Sequence, residues 1–425
     1  MKKNPKLTVV WAVGLFSFLV VFTRLDAADS VYTSGAQMPP DGAKNRGLTT
    51  GVIGPLNFGS RAEGGTVQVR ANQEFTYDDN LYLTQFGKTN DWISITSPGI
   101  YYRIGDFKNN AVEIGYDVNI ARFFQQSVEN GEEHLPYLRA GFTIGKSKVS
   151  FSDQLAFIDG GTQRGSANEV TTRVKQTRND ANISSETQFN DKFALGLKLH
   201  HFYYNPQSNL LERNQVDGGL AVYYKAFAKA DLYIEGDGGH VDVRNAAKED
   251  FAQGKFGFRG ELTPKLAGKI DFGMEYRTSS VASVGNLTTP ILGGDLTYTF
   301  TPEIVANIRA SRYVNVSIQT PGQKYTTSSA GANLSYQFGP VLDLDSKSRK
   351  FVAALDYSYE NDDFDLPDGS LKRNVDIHTI SPSIEYRIQK YWKIYVVYRY
   401  QDLSSSIPSS NYQDQRISFG TSFLF

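Results

Sequence analysis

The chain has no cysteine. That excludes a disulfide framework, a thiolate metal centre and a thiol nucleophile. It also lacks an excess of charge of either sign. Its 44 Lys and Arg stand against 45 Asp and Glu, and with that balance nothing points to a nucleic-acid partner. Mean hydropathy is low, at −0.38, which excludes a bundle of membrane helices. A single long apolar run exists, from Leu7 to about Phe22, and no later run reaches membrane-helix length. Lys2, Lys3 and Lys6 precede it, and the small residues of Leu25-Asp-Ala-Ala28 follow. This pattern predicts a secretory signal peptide over residues 1–28, cut after Ala27 or Ala28. An uncleaved inner-membrane anchor is the other reading of the same run. Export leaves the periplasm, the outer membrane or the medium.

What is present is aromatic and small: 25 Tyr, 27 Phe and 38 Gly. With low hydropathy, these suit β structure whose two faces meet different solvents. Residues 29–65 are rich in Gly, Pro, Ser and Ala, contain Pro39-Pro40 and show no periodicity. They read as a flexible periplasmic lead-in. From Thr66 to Phe425 the pattern changes, and segments of roughly ten residues alternate apolar and polar side chains. Val112, Ile114, Tyr116 and Val118 oppose Glu113, Gly115, Asp117 and Asn119. The closing stretch sets Ile417, Phe419, Thr421, Phe423 and Phe425 against Arg416, Ser418, Gly420 and Ser422.

The connections alternate as well. Short ones such as Asn190-Asp-Lys192 and Thr301-Pro-Glu303 take turns with long polar ones such as Tyr77 to Asp91 and Val314 to Lys324. Such alternation predicts an all-β fold: a transmembrane antiparallel up-and-down barrel of about 18 strands over residues 66–425. If the polar region near 150–185 is a loop, the count falls to about 16. Asp153 falls on the face that Val149, Phe151 and Phe157 would give to lipid, and residues 173–185 are polar on both faces. The stretch from Gly339 to Lys350 looks like a long charged connection on the short side. An even strand number puts both termini in the periplasm. Aromatics gather at both strand ends, for example Tyr101 and Tyr102, Tyr298 and Phe300, Phe202 to Tyr204, and Tyr398 and Tyr400, as membrane interfaces favour.

Little in the sequence looks catalytic. His200 and His201 are adjacent and so point to opposite faces. His134, His240 and His378 are isolated, no pair has metal-ligand spacing, and no nucleophile elbow or phosphate loop occurs. No enzyme activity, cofactor or metal is expected. The informative charges lie on the face opposite lipid. Glu113, Asp117, Arg139, Lys198, Asp231, Tyr233, Glu235, Arg259, Glu261, Lys269, Asp271, Glu275, Arg277, Lys393, Tyr395 and Arg399 are the candidate pore lining. A barrel of this size is wide enough for an aqueous lumen. The same residues could instead pair across strands and wall a blocked pore. Their signs are mixed, so strong ion selectivity is not expected.

Phe75-Thr-Tyr-Asp-Asp-Asn-Leu-Tyr-Leu-Thr84, followed by Asp91-Trp-Ile-Ser-Ile-Thr-Ser-Pro-Gly-Ile100, resembles the opening hairpin of a family of outer-membrane β-barrel porins, the β-barrel porin 2 type. The matching residues are Tyr77, Asp78, Asp79, Asn80, Pro98 and Gly99. The resemblance implies an outer-membrane channel, and some such families accompany polysaccharide export. It transfers no catalytic residue. Asp78, Asp79 and Asn80 either bind a divalent cation or cap backbone groups in a turn. Stretches 95–104 and 379–388 echo each other, and Pro98 and Pro382 in them predict bulges or bends. The last strand, ending on Phe423 and Phe425, resembles the terminal aromatic signal read by the barrel-assembly machinery of Gram-negative bacteria. Expected partners are outer-membrane lipid and lipopolysaccharide, that machinery, and in the export reading a polysaccharide with its apparatus. Two rivals to a channel stay open: a non-conducting structural or adhesive barrel acting through its long loops, and a barrel enzyme acting on lipid or cell-wall material.

Overall fold

The structure is a computed structural model. It describes residues 65–424, apart from 108–109, 160–173, 208–209, 247, 282–284, 344–347 and 366–372. The expected signal peptide, the lead-in before Gly65 and Phe425 lie outside the described residues.

Alternating sequence becomes strand after strand. The first six are β1 (Gly65–Asp78), β2 (Asp91–Gly105), β3 (Ala111–Phe123), β4 (Gly131–Ile144), β5 (Ser147–Asp159) and β6 (Gln176–Gln188). Then come β7 (Phe193–Pro206), β8 (Arg213–Phe227), β9 (Ala230–Val243), β10 (Glu249–Thr263), β11 (Leu266–Ser279) and β12 (Leu287–Thr301). The last six are β13 (Ile304–Val316), β14 (Lys324–Asp343), β15 (Ser348–Asp365), β16 (Arg373–Gln389), β17 (Trp392–Ser405) and β18 (Tyr412–Leu424). Each strand pairs antiparallel with its sequence neighbours, and β1 pairs with β18, so the 18-stranded sheet closes on itself. Closure removes the edge strands that would otherwise leave backbone groups unpaired in lipid. Gly65 and Leu424 lie at the same end, the rim of the short turns.

The polar region that left the strand count open is strand on both sides. β5 and β6 pair continuously from Ser147↔Thr187 to Ile158↔Gln176. The sequence from Gly339 to Lys350 is not a long connection. β14 and β15 simply run further than their neighbours, pairing as far as Asp343↔Ser348 with two register shifts. Charge there marks strand that projects past the lipid rather than loop. Pro98 and Pro382 make no bulge. Pairing of β2 with β3 resumes beyond Pro98 in the same register, Thr96↔Ile120 and then Gly99↔Asp117. β16 does the same across Pro382, from Ile380↔Tyr400 to Ser383↔Val397. Each proline removes one donor on one side, while the opposite neighbours, Ala71 and Leu355, hold the strand in line.

The outward face is apolar, with Ile100, Ile114, Leu197, Leu199, Val222, Ile234, Phe272, Ile308 and Phe419 all exposed. Aromatics form belts on it. At the short-turn end Tyr336, Phe338, Phe351 and Tyr386 stack in series at 4.8–5.3 Å, and Trp392 lies 5.3 Å from Phe423. Toward the other end Phe75 stacks on Phe419 at 5.4 Å, and Tyr77 meets Trp92 at 5.3 Å. Not every terminal aromatic joins a belt, because neighbours in a strand face opposite ways. Phe123, Phe202 and Tyr204 turn inward and are buried, and Tyr101 turns toward Arg70 and Arg103.

Candidate functional site: a two-tier lumen

Inward-facing positions build a lumen with two different halves. The half near the short turns is polar. There a cavity of about 620 Å³ is lined by Lys148, Glu186, Lys198, Arg259, Lys269 and Asp295, among others. Its charges are neutralised locally. Lys198 reaches Glu235 at 2.6 Å and Asp237 at 2.8 Å, and Lys255 reaches Asp237 at 2.7 Å and Glu235 at 3.2 Å. Two lysines and two carboxylates thus form a closed box on β7, β9 and β10. Arg259 donates to both oxygens of Glu186 at 2.7 and 2.9 Å and to Asp231 at 2.9 Å, lying 3.5 Å above the Tyr223 ring. Lys393 and Arg387 each reach Glu385 at 2.7 Å.

Large inward tyrosines lie over glycines of the next strand. A β-carbon on Gly420 would stand 2.6 Å from the Tyr395 ring, and one on Gly257 would meet Tyr233 and the Ile270 carbonyl. The hydroxyl of Tyr233 donates to Asp271 at 3.0 Å, and that of Tyr395 to Glu74 at 2.7 Å. These rings are therefore part of the wall: Tyr233 is 2% exposed and Tyr395 9%.

The half near the long loops is packed. Residues 79–90 fold inward and bury Leu81 and Leu83. Leu83 packs with Tyr325, Phe364, Val375, Ile377, Leu403 and Tyr412, which come from β14 to β18. The 317–323 connection also turns in. Ile318, 1% exposed, packs with Val174, Phe202 and Tyr204 of the opposite wall, and the Leu211 N–H donates to its carbonyl at 2.8 Å. Below it Arg277 is held by Glu275 at 2.7 Å and Glu249 at 3.1 Å.

Of the residues expected to line a pore, Glu113, Asp117, Arg139, Lys198, Asp231, Tyr233, Glu235, Arg259, Lys269, Asp271, Glu275, Arg277, Lys393, Tyr395 and Arg399 face inward. Glu261 sits at the short-turn rim, exposed and paired with Lys229 at 2.5 Å. The structure brings Lys198, Glu235, Asp231, Arg259, Lys269 and Asp271 to one side of the lumen and sets Lys393, Tyr395 and Arg399 elsewhere on the wall. Sequence reasoning missed Glu186 because β6 shows no apolar phase. It also missed Arg213, Glu249 and Lys324, which open their strands beside loops, and Asp217 further along β8; all four are buried. The strand phase of their neighbours was the available signal.

The family-like hairpin residues do mechanical work. Asp78 accepts from the Asn80 N–H at 3.0 Å and lies 3.3 Å from Arg416 of β18. Asp79 accepts from the Gln415 N–H at 2.6 Å. The Asn80 amide donates to the Thr84 carbonyl at 2.9 Å and the Gln413 carbonyl at 2.8 Å, and its oxygen accepts from the Thr84 N–H at 3.0 Å. Oxygens of Asp78, Asp79 and Asp414 come within 4.8 Å of one another, but Arg416 already supplies the positive charge there, 3.0 Å from Asp414. Gly99 leaves room for the Arg70–Asp117 ion pair, which a side chain at that position would strike. Tyr77 and Pro98 face lipid, and Phe423 stands with them on the outer wall.

His200 faces inward with both ring nitrogens committed to carboxylates. Nδ1 lies 2.7 Å from Asp217 and Nε2 3.5 Å from Asp180. His201 faces out.

A closed antiparallel barrel with an apolar belted exterior and a charged interior defines an outer-membrane β-barrel of the porin class. The chain belongs to the family described as Putative beta-barrel porin 2, whose sequence pattern matches residues 57–424. Similar solved structures include OccAB3 of Acinetobacter baumannii, with 9% identity and a TM-score of 0.46 over 85% of this chain and 99% of that one. OpdK of Pseudomonas aeruginosa, solved with vanillate, shows 9% identity and a TM-score of 0.45 over 84% and 99%. A loop-deletion mutant of OmpT from Vibrio cholerae shows 12% identity and a TM-score of 0.35 over 85% and 100%. No curated protein matches in sequence.

Proposed function

We propose that this outer-membrane barrel is a gated channel for hydrophilic solutes. It would open to the periplasm through its polar half and be held shut at the long-loop end by residues 79–90 and 317–323. The termini would then be periplasmic and the long loops extracellular. The observation that carries this reading is the contrast between the two halves of one lumen. A polar wall of paired charges surrounds a cavity, while at the far end the inward loops carry Leu81, Leu83 and Ile318 into buried clusters against the strands. A wall meant only to be sealed needs no wet half. Polysaccharide export finds less support, because the rings of Tyr233 and Tyr395 that would stack on sugars are covered. A hydrolytic role finds little as well, since His200 has no nitrogen left to activate a hydroxyl. The inward loops and paired charges also favour a second reading, a permanently closed barrel that works through its outer surface.

Planar-bilayer recording separates the two. The folded protein is expected to show small, infrequent openings. Replacing residues 317–323 with a short Gly-Ser turn is expected to give larger and more frequent ones. Silence from both proteins, with each shown to be folded by heat-modifiable mobility, would exclude conduction and leave the closed barrel.

A further inference from the structure

The outer wall is apolar on most strands but not on β6. There Thr177, Asn179, Ala181, Ser185 and Thr187 face out, and Ile183 is the large exposed apolar residue. Its neighbours contrast with it: β7 shows Phe193, Leu197 and Leu199, and β8 shows Val216, Leu220, Val222 and Tyr224. Asp153 and His201 flank β6 on the same outer face, in one ladder row that reads Asp153↔Ala181↔His201. Asp153 is the middle residue of β5, and His201 lies near the middle of β7. Both therefore stand at the depth of the hydrocarbon, where a carboxylate and an imidazole have no solvent. Each has a hydrogen-bond companion on its own wall, and the two groups also act on each other through space across Ala181. The Asn179 amide donates to Asp153 at 2.5 Å, and His201 Nε2 donates to the Asn214 side-chain oxygen at 2.9 Å.

We propose that this face is the contact between two copies of the chain, related by a two-fold axis along the membrane normal that passes beside Ala181. Such an axis keeps every residue at its own depth and exchanges left with right. Asp153 of one copy then comes to the same side of the axis as His201 of the other, and the reverse pair forms at the same time. The two lie about 6 Å apart in depth, because a ladder row slopes with a strand tilt of about 40°, an offset within the reach of the two side chains. A patch carrying one acid and one base on either side of a small residue is self-complementary in the way an isologous contact requires. Ala181 at the axis, with Thr177 and Ser185 on the same face, lets the two walls approach closely. Asn214 holds Nε2 of His201, so Nδ1 is the nitrogen that meets the partner's Asp153, and one proton held between them, on Nδ1 or on the carboxyl, makes the contact a hydrogen bond. The proposal rests on the outer-membrane setting and holds whether or not the pore conducts.

Because the chain has no cysteine, a single introduced thiol reports the contact without background. Ala181→Cys lies at the axis and meets its own copy. Mild oxidation of intact outer membranes is expected to give a disulfide-linked band of twice the mass. Leu355→Cys, which faces lipid on β15 at the far side of the barrel, is expected to stay monomeric. Adding Asp153→Leu to Ala181→Cys makes the patch lipid-like, and is expected to cut the linked fraction at least tenfold while the heat-modifiable monomer remains. The proposal fails if Ala181→Cys stays monomeric in a folded protein whose thiol reacts after unfolding. It also fails if Leu355→Cys links equally, if Asp153→Leu leaves the yield unchanged, or if the adduct has the mass of a different protein.

Discussion

At the residue scale the lumen wall is made by pairing a large side chain with the absence of one. Tyr233 lies flat because Gly257 opposite it has no side chain, and that position lets its hydroxyl reach Asp271 at 3.0 Å. Gly257→Val would push the ring off the wall and press on the Ile270 carbonyl, so both a contact and a hydrogen bond are lost. Overpacking of this kind costs about 2 kcal/mol. The expected result is a lower urea midpoint for the folded, heat-modifiable form. An unchanged midpoint would mean that the ring has another place to lie. The single-residue events that sequence could not reveal are of this type. Tyr233 and Tyr395 read as open pore lining when only strand phase is known, because phase gives a face but not what covers it.

At the element scale, strand phase was the most legible property of the chain. The expected count of about 18 strands holds, including the doubtful region near 150–185, where β6 forms without apolar alternation to announce it. What the sequence hid was the behaviour of loops. Residues 79–90 and 317–323 read as polar connections, yet Leu81, Leu83 and Ile318 draw them into the barrel. Isolated apolar residues in a loop carry no periodicity, so nothing local marks them as plug. The Asp78-Asp79-Asn80 stretch was legible as either a cap or a cation site. Its bonds to Gln413, Thr84 and Gln415 make it a staple between the first long loop and the seam where β18 meets β1. Asn80→Ala removes two donors and an acceptor at a buried position, a loss of roughly 2 kcal/mol concentrated on one loop. Lys88 lies in that loop and gives a direct measure. With the long loops extracellular, as proposed, trypsin added to intact cells should cut after Lys88 faster in the variant than in the parent, with the barrel intact. Equal rates would show that Leu81 and Leu83 hold the loop by themselves.

At the scale of the whole molecule, a formal net charge of −1 says little about the lumen, because the charges there are arranged in closed groups. The box of Lys198, Lys255, Glu235 and Asp237 sums to zero, and Lys148, opposite Glu186 on the neighbouring strand, balances the second carboxylate where Arg259 sits between Glu186 and Asp231. An ion passing such a wall meets fields that cancel within a screening length, about 8 Å at physiological salt. The open state is therefore expected to discriminate weakly between potassium and chloride, with a reversal potential near zero in a salt gradient. Lys255→Met tests the arrangement, since it leaves Glu235 and Asp237 facing Lys198 alone and gives the wall a net negative charge beside the cavity. Measured in the variant whose 317–323 loop is shortened, so that openings are frequent, Lys255→Met should move the reversal potential toward that of potassium. The opposite change, Asp237→Asn, should move it toward chloride. If neither substitution shifts the potential, ions do not pass this wall, and the polar half of the lumen is a vestibule beside the conducting path rather than part of it.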